Sequence, residues 1–290
     1  MRKRLKDLTL KDNFMFGAVM AEEANCKALL ERITEIPIEK VEISREKTIV
    51  YHPEYKGVRL DIYAKDENNT HYNVEMQVAQ KAALGRRARF YRSQMDMELL
   101  LAGEEYARLP DSYVIFICDY DPFGGGYYRY SFESRCLEDA SQDLKEGCRY
   151  IFLNTLGKKA GLVSESLIRF LHYIHADLEA SKGDFQDPFV RQLQQTVARV
   201  KESREMEERY MVFEEMLQDE RKTGRAEGKA EGRAESRAED ILDFLSEMGP
   251  VPAELETEIR SQRDLELLRS WVHLAARTNS IEEFTEKMHG

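Results

Sequence analysis

Along the first third of the chain, apolar positions change period from that of a helix to that of a strand. In "KDNFMFGAVMAEEANCKALLERI", Phe14, Phe16, Val19, Met20, Ala28, Leu29, Leu30 and Ile33 fall at helical spacing. This predicts two short helices or one bent one, with Asp12 as the N-cap of the first. Glu22 and Glu23 interrupt the run, where they suit a cap for a second helix or a turn toward a site. "VEISREKTIVYH", "GVRLDIYAK" and "HYNVEMQVA" are rich in β-branched and aromatic residues with partial alternation, and read as strands. Gly85 to Ala102 is helical by composition and by the recurrence of Phe90, Met95, Leu99 and Leu100. "SYVIFIC" is continuously apolar, as a strand buried on both faces is after a helical crossover. "DPFGGGYYRYSFE" adds a glycine-rich turn and an alternating strand, so a hairpin extends the sheet. The predicted order is α, β, β, β, α, β, an α/β (α+β) core with an extra hairpin.

From Ser164 onward the pattern is helical. "SESLIRFLHYIHADLEA" is amphipathic, and the stretch from Asp187 to Glu220 is long and highly charged. Then comes an internal repeat, "GRAEGKAEGRAESRAE", Gly224 to Glu239. A four-residue period advances about 400° around a helix, so Arg225, Lys229, Arg233 and Arg237 form one slowly winding stripe and the four glutamates another. Like charges four apart repel, and each interior glycine costs roughly 1 kcal/mol against alanine. The small-residue stripes suit close approach of a second copy, and a solvated helical linker fits equally well. Ile241 to Met288 reads as three or four short helices broken at "GPVP". The predicted organisation is a core domain over 1–160, a helical extension over 161–222, the charged repeat over 223–240 and a helical tail over 241–290, with homo-oligomerisation through the C-terminal region.

Charge narrows the function. With 43 Lys and Arg against 54 Asp and Glu, the net charge is −11, which excludes a whole-surface nucleic-acid binder and requires any such site to be locally basic. Cys26, Cys118, Cys136 and Cys148 show no CxxC spacing, so free thiols are expected. The basic N-terminus lacks an apolar signal core and no long apolar run follows, so a cytoplasmic protein without a membrane span is expected. His172 and His175 share a helix face without an acidic or cysteine partner nearby in sequence, a weak metal signal. "FGGGY" lacks the Lys-Ser/Thr of a phosphate-binding loop.

The informative stretch is "RLDIYAKDENNTHYNVEMQ". Taking "DENNT" as a hairpin turn and pairing the strands about Asn68 sets Asp61 opposite Glu75, on the same face as Gln77. Leu60, Ile62, Val74, Met76 and Val78 take the other face and read as core, which leaves the acids on a functional or solvent side. Opposed like charges cost up to about 1 kcal/mol in a strand pair. Solvent exposure, an arginine such as Arg59, or a divalent cation would offset that, and a hard cation takes one or two carboxylates and keeps waters. Directly after the hairpin, Lys81, Arg86, Arg87, Arg89 and Arg92 follow with no acidic residue among them, interleaved with Phe90 and Tyr91. This is either a phosphate-neutralising strip or an ordinary charged helix face.

"KDNFMF", "LDIYAKDENNTHYNVEMQ", "RRARFYRSQM", "YVIFICDYDPFGGGYYRYSF" and "IFLNT" together resemble the PD-(D/E)xK nuclease-family transposases, the recombination-promoting nuclease (Rpn) group, over residues 7–180. The resemblance implies a restriction-endonuclease-like core and divalent-metal-dependent DNA cleavage, with Mg2+ (or Mn2+/Ca2+) as cofactor and DNA as partner. It implies metal ligation by Asp61 and Glu75, with Asp12 as a candidate extra ligand beside its N-cap reading. It places Gln77 where the general motif has lysine, a position at which this group characteristically carries glutamine. A glutamine orients water or a phosphate oxygen but brings no charge, for which Lys81 or Arg86 is the candidate source. Lys81, Arg86, Arg89 and Arg92 are the expected DNA-binding residues. A catalytically weak or inactive DNA-binding or oligomerising module on the same fold is the alternative.

Overall fold

The computed structural model describes residues 3–45, 48–49, 58–59, 61–161 and 163–289. The helical start resolves into two helices, α1 (Asn13–Met20) and α2 (Glu23–Thr34). Strands β1 (Val41–Arg45), β2 (Thr48–Ile49), β3 (Val58–Arg59), β4 (Ile62–Asp66) and β5 (His71–Gln77) follow, then α3 (Leu84–Leu99), β6 (Ser112–Cys118), β7 (Arg129–Phe132) and β8 (Cys148–Asn154). Strands β2 and β3 form a separate two-stranded antiparallel sheet; the others make a six-stranded sheet in the order β1-β4-β5-β6-β8-β7. Its parallel centre, β5, β6 and β8, is flanked by antiparallel β1 and β4 on one side and β7 on the other. Parallel neighbours need a crossover, and α3 supplies the one from β5 to β6. The expected mixed α+β architecture is therefore present.

The hairpin register agrees with the sequence reading. Ile62 pairs with Val74 and Lys65 with His71, so the ladder, extended one step, sets Asp61 against Glu75. Asp66 holds the turn: its carboxylate accepts Asn68 N (2.9 Å), Thr70 N (2.8 Å) and Tyr72 Oη (2.8 Å). Such Asx-type bonding is what makes aspartate a strong turn residue.

One expectation about this hairpin is corrected. The face carrying Glu75 and Gln77 is no solvent side, because α3 packs across it. Leu84, Ala88, Tyr91 and Met95 of α3 meet Tyr63, Val114, Phe116, Cys118 and Phe152 of the sheet, and all of β5 is buried. Val78, expected in the core, is exposed, since β5 ends at Gln77. Leu60 lies outside the described residues.

Helices α4 (Glu165–His175) and α5 (Pro188–Glu202) pack with α1 and α2, and belong with the sheet to one compact unit, Met1–Tyr210. A second unit runs over Met211–Gly290. It takes in most of α6 (Arg204–Met248), followed by α7 (Ala253–Ser261), α8 (Leu265–Ala275) and α9 (Ile281–Met288). The charged repeat is thus helical. Its last two alanines, Ala234 and Ala238, are buried with Ile241, Leu245, Ile259, Leu268, Trp271 and Phe284, so that end of the small-residue stripe packs on the tail's own helices.

Candidate active site at the end of the β4–β5 hairpin

Where β4 begins and β5 ends, side chains take over from the strand ladder. Asp61 N donates to Glu75 Oε1 (3.2 Å), and Asp61 Oδ2 accepts Met76 N (3.0 Å). Each acid is therefore fixed by the opposite strand, Asp61 by the backbone beside Glu75 and Glu75 by the backbone of Asp61. The two carboxylates predicted from spacing are brought together. Glu75 is 2% exposed and Gln77 4%.

Burial first, and then the charge of Asp61, push the Glu75 carboxyl up to about 8, against an ordinary 4.5; the Asp61 amide and Arg87 offset part of this. The donor set fits a hard divalent cation, which takes one or two carboxylates and completes its shell with waters. Among the described residues, no group of three or more His, Cys, Asp or Glu side chains gathers in a metal-holding arrangement.

The pH dependence of stability follows in sign. Glu75 holds its proton more tightly folded than unfolded, so its contribution is fully present below the ordinary carboxylate range. It is lost as pH rises through the folded value near 8. Metal-free protein should therefore lose stability relative to Glu75→Gln between pH 5 and 8, read from urea midpoints. Parallel pH profiles for the two proteins would contradict this.

Among the described residues a cation next to the acids is Arg87, expected in the basic strip but not among the site residues. Its Nη2 reaches Glu75 Oε2 (3.4 Å), and its Nη1 donates to Gln77 Oε1. Nε and Nη2 also donate to Tyr91 Oη (2.9 and 2.8 Å), and the guanidinium lies over the rings of Tyr91 and Phe116. The other end of the Gln77 amide donates to Ala79 O (2.6 Å). Gln77 is thus clamped between its own strand's exit and Arg87. The available signal was the stripe Leu84, Ala88, Tyr91, Met95 at steps of four, three and four. Arg87 lies beside that stripe, four residues before Tyr91.

The remaining predicted residues lie elsewhere. Asp12 occupies the N-cap position of α1, but its carboxylate turns back to Thr9 N (2.7 Å) and Lys3 Nζ (2.7 Å). Lys81, Arg86 and Arg89 are exposed around the start of α3, whereas Arg92 is half-buried on Glu146 (3.0 Å) and Asp96 (3.4 Å). Glu22 accepts from Arg199 (2.9 Å). His172 meets Tyr128 Oη (2.9 Å) and His175 meets Asp119 (2.7 Å), so the two histidines take separate partners.

A family model described as PD-(D/E)XK nuclease family transposase matches residues 10–226, a span holding every residue of this site. The chain belongs to that family. Neither the curated proteins nor the solved structures give a match. For a PD-(D/E)XK nuclease family transposase, the family implies a DNA substrate, and PD-(D/E)XK nucleases generally use divalent metals. Among the described residues, no helix is long and apolar enough to cross a membrane.

Proposed function

We propose that this PD-(D/E)XK nuclease family transposase is a DNA endonuclease dependent on a divalent cation, Mg2+ or in its place Mn2+ or Ca2+. The observation that carries this reading is the reciprocal anchoring of Asp61 and Glu75 with Arg87 on the buried acid. Asp61 and Glu75 would hold the ion. When bound, the ion supplies Lewis acidity toward a phosphoryl oxygen and lowers the pKa of a coordinated water. Gln77 aims the Arg87 guanidinium, which brings to this site the positive charge that lysine carries in the general motif. Sandwiched against Tyr91 and Phe116, that charge stands in a low-dielectric setting, where it acts strongly on developing negative charge. Supercoiled plasmid should be nicked in Mg2+ and left intact when EDTA removes the metal. Equal nicking in both conditions would defeat the reading.

Lys81, Arg86 and Arg89, exposed around the start of α3, would grip phosphates without regard to sequence. Each phosphate neutralised contributes about 0.9 to the slope of log affinity against log salt on duplex DNA. Replacing all three by alanine should flatten that slope by roughly two to three, measured by anisotropy in EDTA. An unchanged slope would remove the strip from the interface.

A further inference from the structure

A row of aromatic rings leads from Arg87 to the surface. Tyr91 stacks on Phe116 (centroids 6.0 Å apart), Phe116 on Phe152 (5.6 Å), and Phe152 meets Phe123 (5.1 Å) and Phe132 (5.6 Å) edge-on. Register places this row on the face of the candidate site, since Phe116 pairs with Glu75 on one side and Phe152 on the other. Its inner members are buried. At the outer end Phe123 and Phe132, 5.1 Å apart, are each 45% exposed, as is Tyr127 nearby.

This outer end is held rigidly. The Asp121 carboxylate accepts Phe123 N (3.2 Å), Gly124 N (3.0 Å), Gly126 N (2.8 Å) and Tyr130 Oη (2.8 Å). Gly124 and Gly126 supply the positive φ that the tight loop needs. Cations adjoin it: Lys159 Nζ lies 4.8 Å over the Tyr127 ring, and Lys158 is exposed beside it. Half-exposed aromatic faces in a fixed loop, flanked by lysines, match the demands of bases whose π-faces are open and whose phosphates are close by. A closed duplex hides those faces in its own stack.

We infer that Phe123, Phe132 and Tyr127 form a stacking platform for an unpaired DNA strand, so that the substrate class is DNA with a single-stranded tail or frayed segment beside the bond cut. The inference rests on the nuclease reading. Lys158 and Lys159 meet the backbone of the unpaired strand, and the ring row sets its distance from Arg87.

Anisotropy in EDTA, with full-length protein, compares a labelled oligothymidine strand, a blunt duplex and the same duplex with an unpaired tail. Wild type should bind the strand and the tailed duplex more tightly than the blunt one. Phe123→Leu/Phe132→Leu keeps apolar bulk but removes the π-faces, and should lose about tenfold on unpaired DNA with blunt-duplex binding unchanged. Phe123→Tyr/Phe132→Tyr should restore the preference. Wild type without preference for unpaired DNA, or an equal loss on every DNA, would overturn the inference while Mg2+-dependent nicking left the nuclease reading standing. Failure of wild type to bind any DNA would defeat both. Loss of affinity for a protein partner with DNA binding intact would mark the patch as a protein-docking face and overturn the platform.

Discussion

Replacing Asp61 by asparagine should remove about three orders of magnitude of Mg2+-dependent DNA cleavage. A bound cation contributes several kcal/mol of transition-state stabilisation, and each 1.4 kcal/mol or so is tenfold in rate. Asparagine keeps an oxygen for the Met76 amide, so the hairpin end should hold its shape. The same substitution takes a negative charge away from Glu75, the second cause of that group's upward shift. Without metal at pH 8 the variant should therefore be at least as stable as wild type, a site that sacrifices stability for chemistry. Adding Mg2+ should raise the melting temperature of wild type and leave that of the variant unmoved, because only the former binds the ion preferentially when folded. Nicking rates and thermal melts read both effects. Cleavage undiminished in Asp61→Asn would remove this carboxylate from the chemistry.

Arg87→Ala should be the most damaging single change around the site. Above pH 8, where Glu75 is ionised, it strands that carboxylate, whose side chain is 3% exposed, without its cation. Breaking a buried pair by removing one partner costs about 3 to 5 kcal/mol, and the lower end applies here because the guanidinium keeps some exposure. For a unit of this size that is a fall of roughly 10 °C in melting temperature. Glu75 would then hold its proton still more tightly, so the carboxylate expected to bind metal would ionise only at a higher pH than in wild type, and cleavage would drop with stability. Arg87→Lys should lose less stability but not recover wild-type cleavage, since an ammonium cannot serve Gln77, Glu75 and Tyr91 together or stack on two rings. The double variant Arg87→Ala/Glu75→Gln separates the effects: stability should return as the buried charge goes, and activity should not. Wild-type melting and cleavage in Arg87→Ala would refute the account.

The hairpin and its two acids were legible because local chemistry settles them. Asp66, Asn68 and Asn69 mark a turn, and alternation on either side then leaves one register that puts Ile62, Val74 and Met76 together. Burial of Glu75 was not legible, because it depends on which face α3, starting nine residues later, covers. The phase of α3 was the missing quantity. Phe90, Met95, Leu99 and Leu100 define one stripe and Leu84, Ala88, Tyr91 and Met95 another, turned by part of a revolution; packing against Val114, Phe116 and Phe152 selects the second. That rotation is what carries Arg87 from a row of surface cations to the side of Glu75. The aromatic row was unreadable for a related reason, since Tyr91, Phe116, Phe123 and Phe152 lie on different elements and meet only through the sheet order.

The Asp66 turn has a bearing on how this gene can change. Strand pairing propagates outward from the four residues Glu67 to Thr70, so their number decides which residue stands across from Asp61. One residue more or fewer would bring Val74 or Met76 to that place and turn Glu75 to the opposite face. Substitutions at Glu67 or Asn68 leave the alignment untouched. The loop is thus free in spelling at Glu67 and Asn68, held to a left-handed residue at Asn69 and fixed in length, with Asp66 acting as the ruler.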